Sequence, residues 1–159
     1  MTKKIIPMTL TLLFSITGLA ANLNGSYTLT SSQHLDSDAF CYQSITVEIN
    51  HENDRVNLYR NDFADQPIIS ASINGSLTQK SGSGEALENN LTTDSSKLSG
   101  NSLVLLSVTK HKALGFLPAG TSKDEFKMSL TSDDELTIIR TVDHTFSDKV
   151  SNSCHYIRD

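Results

Sequence analysis

Apolar and polar residues alternate with a period of two through much of this chain. In ITVEINH, Ile45, Val47 and Ile49 fall on one face and Thr46, Glu48 and Asn50 on the other, the signature of a half-buried strand. A polar turn, HEND (51–54), leads into RVNLYRN, where Val56 and Leu58 alternate with Arg55, Asn57 and Tyr59, so the pair reads as a β-hairpin. A second hairpin follows the same logic: EFKMSLTS (Phe126, Met128, Leu130 inward), the turn SDDE (132–135), then LTIIRTV. Further strands are expected at 25–31, 68–73, 102–109 and 154–159. The run at 102–109 is apolar on both faces, which places it centrally or under a covering loop.

The best helical candidate is EALENNL (85–91), where Ala86, Leu87, Asn90 and Leu91 make a weak stripe; flanking Thr, Ser and Asp residues undercut it, and it reads equally well as a strand. The Ser-, Gly- and Asn-rich stretch 79–102 is read as a long excursion within one domain. A second long loop is expected at 110–125, carrying Leu114, Phe116 and Leu117 as apolar residues at its middle. About eight short strands in sequential hairpins, with almost no helix, give an all-β fold: an antiparallel up-and-down barrel, or a β-sandwich. A barrel requires the first and last strands to pair, so that the sheet keeps no open edge.

The start of the chain changes the picture. MTKKIIPMTLTLLFSITGLAAN has a positive beginning, a short apolar stretch and small residues at Gly18, Ala20 and Ala21, as a secretory signal peptide does. The apolar stretch is shorter than a spanning helix needs. Residues 1–21 are therefore expected to be removed, leaving 22–159 as one domain of 138 residues, periplasmic or secreted and without a membrane anchor. Loss of Lys3 and Lys4 takes the formal charge from −5 to about −7, a poor surface for nucleic acid or anionic lipid. In an oxidising compartment the two cysteines are expected to pair, Cys41 with Cys154; two buried thiols are the alternative. Such a bond would lock the ends of the sheet together.

Two ends of the chain carry a family likeness. LNGSYTLTS (23–31) resembles the opening of lipocalin-like domains, where Gly, any residue and an aromatic begin the first strand; LTIIRTV followed by HYIRD resembles the closing strands of small bacterial members. Gly25 and Tyr27 match the opening motif, with Tyr27 standing where the family usually has Trp. Arg158 matches the basic residue that packs over that aromatic at the closed end of the barrel. The resemblance implies a monomeric barrel whose interior could hold a small apolar ligand, with Tyr27, Val47, Leu58, Phe126, Met128 and Ile138 as its binding residues.

Candidate chemistry is sparse. The histidines at 34, 51, 111, 144 and 155 show no metal-ligand spacing. His51 and His111 are expected in solvated turns or loops, and His155 beside the disulfide. Asp143 adjoins His144 without a nucleophile motif; SDDE reads as a turn, and NHENDR (50–55) lacks the rest of a calcium loop. Sequons occur at Asn24, Asn74 and Asn90. No metal and no cofactor is expected. The sequence thus points to a non-catalytic binding protein with a small ligand inside the barrel, or to a protein-binding module or enzyme inhibitor acting through 110–125, with Leu114, Phe116 and Leu117 at the contact.

Overall fold

A computed structural model describes residues 23–33, 40–63, 65–82, 89–113 and 117–159. They form one sheet of ten antiparallel strands: β1 (Gly25–Gln33), β2 (Ser44–Asn50), β3 (Arg55–Arg60), β4 (Ile69–Ser72), β5 (Ser76–Gly82), β6 (Asn89–Ser99), β7 (Ser102–Ala113), β8 (Leu117–Leu130), β9 (Glu135–His144) and β10 (Val150–Arg158). Their order, β4-β3-β2-β1-β10-β9-β8-β7-β6-β5, is a meander curled into a nearly closed barrel. Among the described residues there is no α-helix; a 3-10 turn spans Asn61–Phe63.

Both expected hairpins are present, Val47 opposite Leu58 and Met128 opposite Ile138, and β1 pairs with β10 as barrel closure requires. The strand count is ten rather than about eight. The excursion at 79–102 contains the end of β5 and the whole of β6, and the loop expected at 110–125 is the continuation of β7 and β8 into a long hairpin. Of the ambiguous segment 85–91, residues 89–91 begin β6 and the rest lies outside the described residues. Both errors have one cause: Thr92, Asp94, Ser96, Thr109 and Ser122 occupy inward positions, so the apolar half of the alternation is missing there.

Cross-strand register makes this a gradient along the barrel. Leu29, Tyr156, Leu136 and Leu130 form one inward row; Cys154, Ile138, Met128, Leu103 and Leu98 form the next. Then come Asn152, Arg140, Phe126, Leu105 and Ser96, followed by Val150, Val142, Asp124, Ser107 and Asp94, and last His144, Ser122, Thr109 and Thr92. Tyr156, Leu136, Cys154, Ile138, Met128 and Leu103 of the first rows join Tyr27, Ile45, Val47, Val56 and Leu58 in a core with almost no solvent exposure, against which Leu29, Leu130 and Leu98 pack half-buried.

The apolar end is sealed. The Arg158 guanidinium lies 5.2 Å from the Tyr27 ring, and donates to the Asn24 carbonyl (2.8 Å) and the Tyr27 hydroxyl (3.0 Å), which in turn donates to the Leu23 carbonyl (3.0 Å). Gly25 has φ +151°, a backbone conformation that favours glycine, and a Cβ there would sit 3.1 Å from Arg158 Nη1 and push that guanidinium aside. Asn24 bonds both backbone groups of Ile49 through its side-chain amide, and Asn74 and Asn90 likewise accept from Leu98 and Lys112 N–H groups. All three sequon asparagines are thus structural in this fold.

Segment Phe40–Gln43 is drawn into the barrel. Cys41 is bonded to Cys154 (Cα–Cα 5.7 Å), Tyr156 donates to the Tyr42 carbonyl (3.0 Å), Arg140 Nη1 donates to the Phe40 carbonyl (2.9 Å), and the Leu29 N–H donates to the Gln43 carbonyl (2.8 Å). The bond does not close the sheet's edges, since β1 and β10 are already joined by their ladder; it pins the β1–β2 connection against the inner wall. His155 points outward, to Thr137 Oγ1 (3.2 Å), because its neighbour Cys154 points in.

The remaining join lies between β4 and β6, and it is made largely by side chains. The Ser70 N–H donates to Asp94 Oδ2 (3.1 Å); the Ser96 hydroxyl accepts from the Asn74 N–H (3.0 Å) and donates to the Ser72 carbonyl (2.7 Å); the Ser96 N–H reaches the Gly75 carbonyl (2.9 Å).

With its cysteines 113 positions apart in sequence, the disulfide restrains most of the chain. Replacing both cysteines by alanine should lower unfolding stability by about 4 kcal/mol, less where the unfolded chain keeps structure. Denaturant unfolding of the double variant measures this; a loss below about 1 kcal/mol would mean that the hydrogen bonds alone hold the segment.

Candidate functional site

The filled part of the barrel leaves no room for a guest. Between Phe40–Tyr42 and the core residues Ile45, Leu58, Phe126, Ile138 and Tyr156 the residual void is about 10 Å³, at most the space of one water. Tyr27, Val47, Leu58, Phe126, Met128 and Ile138, expected to surround a ligand, are all buried against protein. Tyr27 is part of the sealed end, and of the six only Phe126 reaches a larger cavity.

That cavity, about 360 Å³, lies at the polar end. Its depth comes from unequal strands. The wall of β7, β8 and β9 is 10 to 14 residues per strand, whereas β4 opposite has four. Ile68 and Ile69 form the low side, Ser107, Thr109, Ser122 and His144 the high side, and Tyr42, Phe126, Asp124 and Arg140 the floor. These residues were reachable from the sequence by continuing the alternation past its apolar part, from Phe126 to Asp124 and Ser122, and from Ile138 to Arg140, Val142 and His144.

Arg140 organises the floor. Its Nε and Nη2 donate to the two oxygens of Asp124 at 3.0 and 2.6 Å, a bidentate pair, while Nη1 holds the Phe40 carbonyl. Its guanidinium lies 4.9 Å from the rings of Phe40 and Tyr42 and 5.2 Å from that of Phe126. A second guanidinium, Arg60, stacks on the outer side of the group, 5.1 Å from Tyr42 and 4.7 Å from Phe63. Burial works against the Arg140 charge, but the Asp124 carboxylate outweighs it and raises the Arg140 pKa further. Removing one partner of such a pair would strand a buried charge, at a cost of about 3 to 5 kcal/mol.

His111, expected in a solvated loop, is instead on β7, with Nε2 2.8 Å from Ser122 Oγ. Among the described residues no carboxylate bonds this histidine, so the contact fixes the Ser122 rotamer without forming a charge-relay arrangement. Asp143 and His144, adjacent in sequence, point to opposite faces: Asp143 lies 3.9 Å from Lys123 outside, while His144 lines the cavity. SDDE and HEND are hairpin turns; Asn50 Oδ1 accepts from the Glu52 and Asn53 N–H groups and so caps the latter. Among the described residues no three His, Cys, Asp or Glu side chains come together as metal ligands. Leu114 and Phe116 lie outside the described residues; Leu117 is exposed on β8.

The tyrosines report on this packing. Burial raises the pKa of Tyr42 and Tyr156 around the pinned segment, partly offset by Arg140, and that of Tyr27 at the sealed end, offset by Arg158; Tyr59 is raised by its partial burial and by Glu48. Because the folded values exceed the unfolded one of 10.0, the folded chain holds these protons more tightly. Their stabilisation is whole below that pH and is lost as pH rises through the folded values. Since the chain has four tyrosines and no tryptophan, tyrosinate absorbance should stay low at pH 10, where an unfolded chain is half ionised, and then rise together with loss of β-sheet circular dichroism. Independent, early ionisation of all four phenols would show that the segment is not packed as described. Comparison of the chain with protein-family models, with curated proteins and with solved structures gives no match.

Proposed function

We propose that this chain is an exported, non-catalytic binding protein, an up-and-down barrel of lipocalin-like design that takes a small amphipathic molecule into its open end. The observation that carries the reading is the contrast between a filled apolar interior and, at the polar end of the same barrel, a cavity of about 360 Å³ with mixed polar and apolar walls; a more open hollow of about 570 Å³ lies along Arg60–Ile68. Such a cavity suits a small ligand with an apolar body, against Ile68, Ile69 and Val142, and a polar head near Ser107, Ser122 and Asp124. The disulfide supports export, since such bonds persist in oxidising compartments, and among the described residues no helix is long and apolar enough to cross a membrane. The wholly apolar ligand suggested by the sequence gives way to an amphipathic one because the room among the apolar residues is filled.

A second reading has its own observation. Phe146, in the β9–β10 turn, is 86 % exposed and rests over Gly120, on the same long hairpin as exposed Leu117. An apolar tip of this kind supports the protein-binding or inhibitory role, acting through 110–125 together with Phe146.

Amide NMR titration with small amphipathic fragments separates the two. The cavity reading expects shifts clustered at Ser107, Ser122, Val142 and His144, abolished by Ser122→Trp with little change in melting temperature. Shifts that ignore Ser122→Trp sink it. A protein partner captured by the native chain and lost with Phe146→Ala would favour the second role. Export is checked by mass spectrometry of the chain recovered from a bacterial periplasm, which should begin at Asn22; retention of residues 1–21 in a cytoplasmic product contradicts it.

A further inference from the structure

Behind the wall of the cavity lies an uncompensated acceptor. Asp94 on β6 is 8 % exposed; its Oδ2 accepts from the Ser70 N–H, while Oδ1 makes no hydrogen bond to any described residue. Its position follows from the register. Asp94 stands opposite Ser107, and Ser107 opposite Asp124, so the three share the inward face of neighbouring strands, with the two acids roughly 10 Å apart along the sheet. Ser107 lines the cavity, as does Ile69, the neighbour of Ser70. Asp94 therefore sits immediately behind the cavity wall, between two residues that form it.

Charge decides what such a shelf can receive. The acids Asp94 and Asp124 face one permanent cation, Arg140, whose donors already bind Asp124 and the Phe40 carbonyl and whose faces are covered by aromatic rings. An anionic head group would have to displace Asp124 from Arg140. Lys123, though its backbone borders the cavity, turns its side chain outward beside Asp143. The unused capacity is thus acceptor capacity: Asp94 Oδ1, the remaining lone pairs of the partly open Asp124 carboxylate, and the Ser107 hydroxyl between them. A compact donor with several N–H groups and a positive charge matches it, and a buried carboxylate oxygen without a partner is unfavourable until one arrives.

Resting on the reading of the open end as a ligand site, we propose that the ligand's polar head is a protonated amine, received by Asp94 Oδ1 beside Ser107 and favoured by the negative field of Asp124 farther along the sheet, with its apolar body toward Ile68, Ile69 and Val142. A rotation of the Ser107 side chain opens the way to Asp94, and the acid's other oxygen stays on β4.

Three probes of equal length test this: hexylammonium, hexan-1-ol and hexanoate, titrated against the full exported chain by isothermal calorimetry and amide NMR. Hexylammonium should bind at least about tenfold more tightly than the alcohol, as a charge-assisted hydrogen bond provides, and hexanoate more weakly than either. Asp94→Asn should erase the preference and leave hexylammonium and hexan-1-ol alike. Because that variant also touches the β4–β6 join, Ser107→Leu is the second arm: it leaves the join intact and covers Asp94, and the preference should again disappear. Equal binding of ammonium and alcohol by the native chain overturns the amine while leaving the ligand site standing. Retention of the preference in both variants overturns the role of Asp94. Failure of all three probes to shift the cavity amides overturns the site and this inference together.

Discussion

The insertion of Phe40–Gln43 into the barrel is the constraint on which the rest depends. Cys41 and Tyr42 pack against the buried core, while Phe40 and Gln43 stay exposed at its margin. The segment's peptide groups, which would be costly to bury unpaired, are met by Tyr156, Arg140 and the Leu29 amide, and Cys41 ties it covalently to β10. The anchors span three successive rows of the gradient, with Leu29 and Tyr156 in the first, Cys154 in the second and Arg140 in the third, so the segment is held along its length and cannot slide toward the mouth without breaking all of them.

Arg140 links that constraint to the site. A buried ion pair gains little net stability over apolar groups of similar shape, because both charges leave water; what the Arg140–Asp124 pair contributes is position. One guanidinium fixes the end of the inserted segment through the Phe40 carbonyl, orients Asp124 at the cavity floor, and packs its faces on Phe40, Tyr42 and Phe126. Below this layer the barrel is solid, and above it the inward residues are Ser, Thr, Asp and His, with Val142 and Val150 as apolar exceptions. The floor of the cavity is the plane where the chain changes from one regime to the other.

The same change decides how far the sequence could be read. Where the inward residues are apolar, in β2, β3 and the ends of β8 and β9 nearest their turn, period-two alternation locates strands, hairpin turns and register, and Val47, Leu58, Met128 and Ile138 are recognisable as interior. The partnership of Cys41 with Cys154 is legible from count and compartment. Beyond Phe126 and Ile138 the alternation continues in polar residues and loses its contrast, so β6 and the far halves of β7 and β8 resemble loops. The cavity is made of those stretches. Asp124 and Arg140 read as ordinary surface residues until the strand is extended through them, and the insertion of Tyr42 leaves no local trace, since what holds it lies about 100 residues away in sequence.

The polar inward face of β6 is also what lets the barrel close. A regular ladder between β4 and β6 would need strands of matched length and direction, but β4 has only four residues and turns at Asn74–Gly75 directly into β5. The edge of β4 therefore presents backbone groups that no strand can meet in register. Ser96 meets two of them with one hydroxyl, Asp94 a third, and Asn74 returns the contact to Leu98. Apolar residues at positions 94 and 96 would have packed well and left those groups unpaired, a loss of about 1 to 3 kcal/mol for each. Closure by side chains fixes an acid beside the cavity, and a carboxylate with two oxygens meeting one edge amide has one oxygen left over. The unsatisfied acceptor at the wall is thus a direct consequence of how the sheet is joined.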